Sequence, residues 1–145
     1  MVTQAGRVAR MTTLLIFLAT HCAFLFEGNR FRFVDSGADT SSGEYAFLIL
    51  ESAAVRFRFI NERGELDCEF QAISGEPSEW FSLGPLRGAL LGDRGGPEIM
   101  DAAWATFLGE SIDRLESAFA TQEGADVLTA ELHRQEKLRS KEMFG

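Results

Sequence analysis

The sequence is poor in the residues that most often carry out chemistry near neutral pH. It contains two histidines in 145 residues, His21 and His133, and they lie far apart on different predicted helices. Histidine is the usual acid or base at this pH, so few catalytic pairs are available. The patterns GxSxG, HExxH, CxxC, GxGxxG and GxxxxGK[ST] are all missing. We therefore expect a non-enzymatic protein without catalytic residues, metal or cofactor.

Cysteine is equally scarce. The two cysteines, Cys22 and Cys68, fall at predicted core positions, where a free thiol behaves as a small hydrophobic group. A chain of this length buries roughly 68–70% of its unfolded surface, so it needs no disulfide to be stable. We interpret both cysteines as reduced and buried, which favours a cytoplasmic protein. A disulfide between them is the alternative.

Positive charge is in the minority. The 14 lysines and arginines face 22 aspartates and glutamates, and the formal net charge is −8. An acidic chain is repelled by nucleic acid and attracts basic macromolecules. The charge predicts an acidic surface that meets a protein partner, with no nucleic-acid binding.

Apolar runs stay below membrane-spanning length. Arg7 and Arg10 precede MTTLLIFLATHCAFLF, an arrangement that imitates a signal peptide. Polar residues such as Thr13 and His21 interrupt the run, which leaves it short of the roughly 18 apolar residues of a spanning helix. Because apolar residues recur at steps of three and four, residues 1–27 are predicted to form a core helix. An exported protein with a leader is the alternative, and no membrane contact is expected.

What the sequence does contain, within Ala54 to Ile73, is two runs in which apolar and charged residues alternate, Val55–Phe59 and, after a break, Glu65–Phe70. This alternation predicts a β-hairpin with one buried and one charged face. We expect a four-residue loop from Asn61 to Gly64, with Gly64 at positive φ. The inward residues are predicted to be Val55, Phe57, Phe59, Leu66, Cys68 and Phe70. The loop sets the predicted cross-strand pairs, which are Arg58 with Asp67, Arg56 with Glu69, Phe59 with Leu66 and Ile60 with Glu65.

Two strands are predicted before the hairpin. In the first, Arg30 to Asp35, Phe31 and Phe33 point inward while Arg30 and Arg32 point outward. The second, Tyr45 to Leu50, is apolar on both faces and predicts a central strand that is covered on both sides. Residues 30–73 then form a four-stranded antiparallel meander. The loop between these two strands contains Asp35, Asp39, Ser41 and Glu44, but its spacing does not match a calcium loop.

The second half of the chain predicts a crossover and helices. Residues 74–96 are rich in glycine and proline and include a short helix with leucines at 83, 86, 90 and 91, anchored by Trp80 and Phe81. A long helix is predicted from Pro97 to Ala120. Gly124 is expected to end it, and Asp126 or Thr129 to cap a last helix that reaches Met143 and Phe144. The glycines before Pro97 match no phosphate-binding motif.

These elements define one α+β domain over residues 1–145. It consists of a helix (1–27), a β-meander (30–73), a crossover (74–96) and a helical part (97–145) packed on the sheet. The outward face of the sheet is the candidate partner surface. Its phenylalanines point inward, so no base could stack on them. The candidate residues on this face are Arg30, Arg32, Arg56, Arg58, Asp67 and Glu69.

The stretches FRFVDS (Phe31–Ser36), Tyr45–Phe70, WFSL (Trp80–Leu83) and the closing MFG (Met143–Gly145) follow a characteristic order of elements. In this order the chain resembles small bacterial immunity-like and uncharacterised α+β proteins. The resemblance implies a non-enzymatic protein and supplies no site residues to carry over.

We expect a protein of unknown function that binds a macromolecular partner through its acidic surface, with an immunity or antitoxin role implied by the resemblance. The alternative is an enzyme or small-ligand protein with a pocket between the sheet and the crossover, near Trp80 and Trp104. Neither the partner nor the oligomeric state follows from the sequence.

Overall fold

The computed structural model describes residues 4–38, 45–74 and 79–144, with side chains for residues 9–38, 45–74 and 79–142. The protein is α+β, with an N-terminal helix, an antiparallel sheet and two C-terminal helices, as predicted. The elements in chain order are α1 (Gln4–His21), a 3₁₀ segment (Ala23–Asn29), β1 (Arg32–Ala38), β2 (Tyr45–Glu51), β3 (Val55–Glu62), β4 (Glu65–Ala72), β5 (Phe81–Ser82), α2 (Leu83–Leu91), α3 (Ala102–Phe119) and α4 (Gln122–Phe144).

The sheet has five strands, not the four predicted, in the order β1-β2-β3-β4-β5. The additional strand β5 pairs antiparallel with β4, with Phe81 opposite Phe70. Two residues are too short to produce a recognisable alternation, but they cover part of the outer edge of β4. Further along that edge the Met100 amide donates to the Leu66 carbonyl at 2.8 Å. Unpaired backbone groups of β4 are thereby satisfied.

The β3–β4 hairpin has the predicted faces but a different register. Phe57, Phe59 and Phe70 are buried as expected. The strands are shifted by two residues, however, so that Arg58 lies opposite Glu69 and not opposite Asp67. A shift of two preserves the alternation of faces, which explains why the predicted burial survives the wrong pairing.

The shift arises because the turn has two residues, not four. Arg63 and Gly64 both adopt positive φ, 56° and 89°, and Glu62 pairs directly with Glu65. Positive φ at both central positions is the geometry of the tight turn that suits strand twist. Asn61, predicted to be in the loop, is instead a buried strand residue.

Asn61 holds the hairpin against α1. Its side-chain amide nitrogen donates to the Arg10 carbonyl at 3.2 Å, and its Oδ1 accepts from the Gly64 amide at 3.0 Å. Both ends of a buried polar side chain are thus satisfied. The same residue therefore fixes the turn and the position of the first helix.

The helices pack on the inward face of the sheet and on one another. α1 contacts β2 and β3, α3 contacts β3, and α4 packs mainly on α2 and α3. Cys22 and Cys68 are free and buried, as predicted. Burial raises the pKa of Cys22 to about 12 and that of Cys68 well above its ordinary value. The buried apolar residues that α1 and α3 contribute include Leu14, Leu18, Trp104, Phe107, Leu108, Ile112, Leu115 and Phe119.

α3 begins five residues later than predicted, at Ala102. Asp101 caps it, because its Oδ1 accepts from the Trp104 amide at 2.9 Å. Pro97 lies outside the helix, and its carbonyl accepts from the Trp104 indole nitrogen at 2.9 Å. The segment before α3 thus serves to anchor Trp104.

α4 begins before the glycine that was expected to separate the helices. Thr121 accepts from the Gly124 amide through its hydroxyl at 3.0 Å, so Gly124 lies in the first turn of α4. A side chain at Gly124 would collide with the carbonyl of Ala118. Glycine is needed there because two helix ends approach closely. The predicted caps Asp126 and Thr129 lie inside the helix and not at its start.

The predicted first helix is divided at Cys22 into α1 and the 3₁₀ segment. Gly28 adopts a left-handed φ of 69°, as its position at the end of the helical region predicted. No single helix in the described part of the chain combines the length and apolarity needed to cross a membrane. Residues Ala9–His21 and Ala23–Asn29 meet that composition only as a pair bent by 75°.

Candidate interaction surfaces

The outward face of the hairpin carries a ladder of paired charges. Arg32 and Arg56 both reach Glu51, at 3.1 and 2.9 Å. Arg56 also donates to the Gln71 amide oxygen at 2.7 Å, and Arg58 contacts Glu69 through two nitrogens at 2.6 and 3.0 Å. We call this set the arginine ladder. Its members are Arg32, Arg56, Arg58, Glu51, Glu69 and Gln71.

Glu51 receives two arginines because it ends β2 beside both neighbouring strands. Arg32 on β1 and Arg56 on β3 lie directly opposite it. Burial alone would raise the pKa of Glu51, but the hydrogen bonds from Arg56 and Arg32 outweigh it and the pKa lies below its ordinary value. Glu51 is therefore ionised and bound within the molecule.

The Trp80 ring covers part of this face, which the sequence did not indicate. The guanidinium of Arg58 lies 4.2 Å from the centre of the Trp80 ring. This distance is typical of a cation–π contact. Trp80 and Phe81 were predicted to anchor the crossover to the core, and Phe81 is buried there, whereas Trp80 stacks on the outward-facing cation that also binds Glu69.

Two of the six predicted surface residues lie outside the ladder. Arg30 precedes β1 and pairs with α3, reaching Asp113 at 2.9 Å and Glu116 at 3.4 Å. Asp67 lies opposite Ile60, where no arginine faces it. Burial raises the pKa of Asp67, and the nearby carboxylates of Glu69 and Glu98 act in the same direction.

Most charged groups of the arginine ladder are consequently already paired within the molecule. Its cations and anions satisfy one another across the strands, so a partner would have to break these pairs to use them. The predicted pairs Arg58–Asp67 and Arg56–Glu69 were wrong, but the prediction of cross-strand ion pairing on this face was right.

A second surface, at the edge of the sheet, consists of exposed apolar residues. Phe33 and Val34 on β1 line an open groove of about 520 Å³ together with Leu15 of α1. The Phe26 ring stacks on Phe33 with centroids 5.8 Å apart. We call Leu15, Phe26, Phe33 and Val34 the β1-edge patch. Their exposed fractions are 45%, 43%, 50% and 41%.

The exposure of Phe33 corrects the prediction that both phenylalanines of this strand are buried. Phe31 is buried and its ring packs 5.6 Å from that of Phe57. Phe33 lies opposite Leu50, but at the outer margin of the sheet, and the register shifts between Phe33 and Asp35. The bulge adds Val34 to the exposed surface.

β1 is also an edge strand. Within the described part of the chain, β2 is its only strand neighbour. Its outer side therefore presents backbone amides and carbonyls that can pair with another extended chain. Apolar side chains and unpaired backbone groups occur together here, which is the combination that strand addition uses.

The predicted cover over both faces of β2 is incomplete. Tyr45, Phe47 and Ile49 point outward and are half-buried. The Phe47 ring occupies the space that a side chain at Gly37 would need. Gly37 thus allows the outward residues of β2 to shield one another along the strand.

A second apolar groove, of about 550 Å³, lies between α2 and the α3–α4 junction. It is lined in part by Leu90, Leu128 and the exposed Val127. Glu123 and Glu131 also line it, and helices leave no backbone edge to pair. It combines fewer favourable features for a partner than the β1-edge patch does.

Among the described residues, the cavity between the sheet and the segment that precedes α3 is small. The cavity beside Trp104, which Asp67, Cys68 and Met100 also line, measures about 10 Å³. This volume accommodates roughly one water molecule. Trp80 does not line it.

Three potential metal ligands converge on the outer side of α4. His133 Nε2 lies 2.7 Å from Glu79 Oε1, and the ligand atoms of Glu79, His133 and Glu136 all lie within 4.8 Å of one another. Burial raises the pKa of Glu136, with a further contribution from Glu79. No local sequence pattern indicates Glu79, which is 54 residues from His133, whereas the three-residue spacing of His133 and Glu136 on a helix is a signal that could have been found.

Comparison of the chain with protein-family models, curated proteins and solved structures returned no match. The interpretation of its surfaces therefore depends on its own residues.

Proposed function

We propose that the protein is a non-enzymatic binding module whose β1-edge patch accepts an extended, mainly apolar segment of a partner protein. The observation that carries the proposal is the exposure of Phe33 and Val34 beside an edge of β1 that has no strand neighbour among the described residues. An immunity or antitoxin role, as the resemblance implied, is one use of such a module.

The β1-edge patch exposes apolar side chains to water, which is energetically unfavourable. Four of the nine exposed large hydrophobic residues in the described part of the chain belong to the β1-edge patch. A contiguous apolar area of this kind commonly marks a site of association. An incoming strand would pair with the β1 backbone and cover Phe33 and Leu15, which removes both unfavourable exposures together.

The overall charge supports a basic partner. The net charge of −8 attracts a positively charged protein over long distance, whereas the apolar patch would hold it after contact. Acidic surface and apolar patch thus have separate roles in the proposal. A cytoplasmic location is also proposed, and the two free, buried cysteines support it.

The proposal is tested by photo-crosslinking in the native host. Benzoylphenylalanine is placed at position 33 or, as a control, at position 127, which lies in the second apolar groove and has an exposed fraction of 68%. We expect a discrete protein adduct from position 33 and none from position 127. The partner identified from the adduct is then purified without crosslinking and titrated with the wild type and with Phe33→Ser. We expect Phe33→Ser to bind the partner at least about tenfold more weakly than the wild type does.

Three results would contradict the proposal. They are an adduct from position 127 alone, an adduct from position 33 that consists of two copies of this chain, or binding to lipid vesicles that Phe33→Ser abolishes. The last two would assign the patch to self-association or to a membrane surface.

A further inference from the structure

We propose that Glu79, His133 and Glu136 form a binding site for a first-row transition-metal dication of the Zn²⁺ class. The site is independent of the β1-edge patch. It joins the crossover, just before β5, to the surface of α4.

The geometry provides three ligand atoms from two separate parts of the chain. His133 and Glu136 are three residues apart on α4, so both project from the same side of the helix. Glu79 approaches from the crossover, and its Oε1 is 2.7 Å from His133 Nε2. Histidine nitrogen and carboxylate oxygen are both ordinary ligands of zinc.

Other contacts orient the histidine toward the cluster. The His133 ring packs against Phe81 with centroids 5.5 Å apart, while Nε2 points to the carboxylate of Glu79. The ring contact and the hydrogen bond to Glu79 together favour this orientation of the ring, in which Nε2 is directed at the site. The ligand nitrogen would not need to turn to bind a metal.

The distances are compatible with small adjustments. A tetrahedral zinc ion with bonds of about 2.0–2.1 Å holds its ligand atoms about 3.4 Å apart. The present atoms lie between 2.7 and 4.8 Å from one another. Both glutamates are exposed, so rotation of their side chains suffices, and the metal replaces the His133–Glu79 hydrogen bond.

The charge of the cluster also favours a dication. Glu98 lies close enough to affect Glu136, but it is already paired with Arg139 at 2.8 Å. Glu79 and Glu136 have no arginine or lysine partner among the described residues. The two carboxylates contribute negative charge that a divalent cation compensates.

The histidine distinguishes this site from a carboxylate site for calcium or magnesium. Those ions prefer oxygen ligands, whereas imidazole nitrogen favours zinc, copper, nickel or cobalt. Three protein ligands leave at least one position for water, because the cluster is at the surface. The expected site is therefore open and exchangeable.

Isothermal titration calorimetry of the full chain with Zn²⁺ tests the proposal. We expect one ion per chain, with affinity reduced at least about tenfold in His133→Ala and in Glu136→Gln. His21→Ala and Glu110→Gln are matched controls, since they remove the other histidine and an exposed helical carboxylate. Both should bind as the wild type does, and Mg²⁺ should produce no comparable heat.

NMR of the two histidine side chains gives a second readout that does not depend on variants. Zn²⁺ should shift the His133 signals and leave those of His21 unchanged. The proposal is overturned if no binding occurs, if His133→Ala or Glu136→Gln binds like the wild type, if His21→Ala loses the ion, or if Mg²⁺ binds as tightly as Zn²⁺. Because Glu136 is exposed, its variant tests the site even if His133→Ala fails to fold.

Discussion

The arginine ladder and the β1-edge patch lie on the same sheet and differ in what they leave unsatisfied. In the ladder, Arg58 has Glu69 and the Trp80 ring as partners, and both arginines at Glu51 are hydrogen-bonded. At the edge, Phe33 and Val34 are about half exposed beside a backbone without a strand neighbour in the described part of the chain. A dense set of charges is thus paired within the fold, while a few apolar residues remain exposed at the edge.

If the β1-edge patch binds the partner as proposed, charge density is a poor guide to the binding surface. Charges placed opposite each other on neighbouring strands satisfy one another. An edge has no internal partner, so its backbone and its apolar side chains stay available. The following predictions are designed to separate the two roles.

The largest difference in the loss of stability is expected between alanine substitutions of two phenylalanines, one in the core and one at the edge. Phe57 is fully buried below the ladder, whereas Phe33 is half exposed at the edge. Phe57→Ala should lower the free energy of unfolding by about 3–5 kcal/mol, and Phe33→Ala by less than about 1 kcal/mol. Urea denaturation of both variants measures this, and equal losses would mean that the edge belongs to the core.

A smaller loss is expected from the ladder itself. The side chains of Arg58 and Glu69 are only 27% and 25% exposed. Arg58→Met should therefore lower the free energy of unfolding by about 1–3 kcal/mol, because a charged hydrogen bond and a cation–π contact are lost. Urea denaturation tests this value too.

Arg134 on α4 provides the matched control for Arg58. It contacts Glu131 through two nitrogens at 2.6 and 2.9 Å, and its hydrogen bond holds the pKa of Glu131 at about 2. Arg134 is 60% exposed and Glu131 34%, however, so water and salt screen this pair more than they screen the Arg58–Glu69 pair. Arg134→Met should leave stability unchanged, and a loss as large as that of Arg58→Met would refute the distinction between half-buried and exposed pairs.

The smallest effect concerns pH. The folded pKa of Glu51 lies below its ordinary value of 4.5, so its ionised form stabilises the fold above that pH. This contribution is lost as the pH falls through the folded pKa. The difference in stability between wild type and Glu51→Gln should therefore narrow from pH 7 to below pH 4, as urea midpoints at several pH values would show.

Asp67 should behave in the opposite sense. Its folded pKa is raised by burial, so ionisation disfavours the fold at neutral pH and protonation relieves this cost as the pH falls. The free energy of unfolding of Asp67→Asn, compared with that of the wild type, should therefore be highest at neutral pH. If Glu51→Gln and Asp67→Asn showed the same trend, the assignment of these carboxylates to different surroundings would be wrong.

The sequence predicted the features of the sheet that depend on alternation. Phe57, Phe59 and Phe70 are buried because successive residues of a strand point to opposite faces. Alternation repeats every two residues, so it cannot distinguish registers that differ by two. The observed register depended on Arg63 adopting positive φ, which its residue type does not favour.

The β1-edge patch was missed for a different reason. The predicted meander already placed the first strand at the margin of the sheet, but the alternation of Phe31 and Phe33 does not show that Phe33 is left uncovered there. Burial of Phe33 would have required cover that the margin does not provide. Likewise, the approach of Glu79 to His133 depends on the path of the crossover, which no local pattern encodes.

The most direct test of the β1-edge patch is the dissociation constant of the purified partner for two single variants. Val34→Lys places a charge in the groove without removing core packing, and Arg58→Met disrupts the ladder. We predict a loss of affinity of at least about 30-fold for Val34→Lys and less than about threefold for Arg58→Met. The reverse order would show that the partner binds the charged face and would contradict the proposed role of the edge.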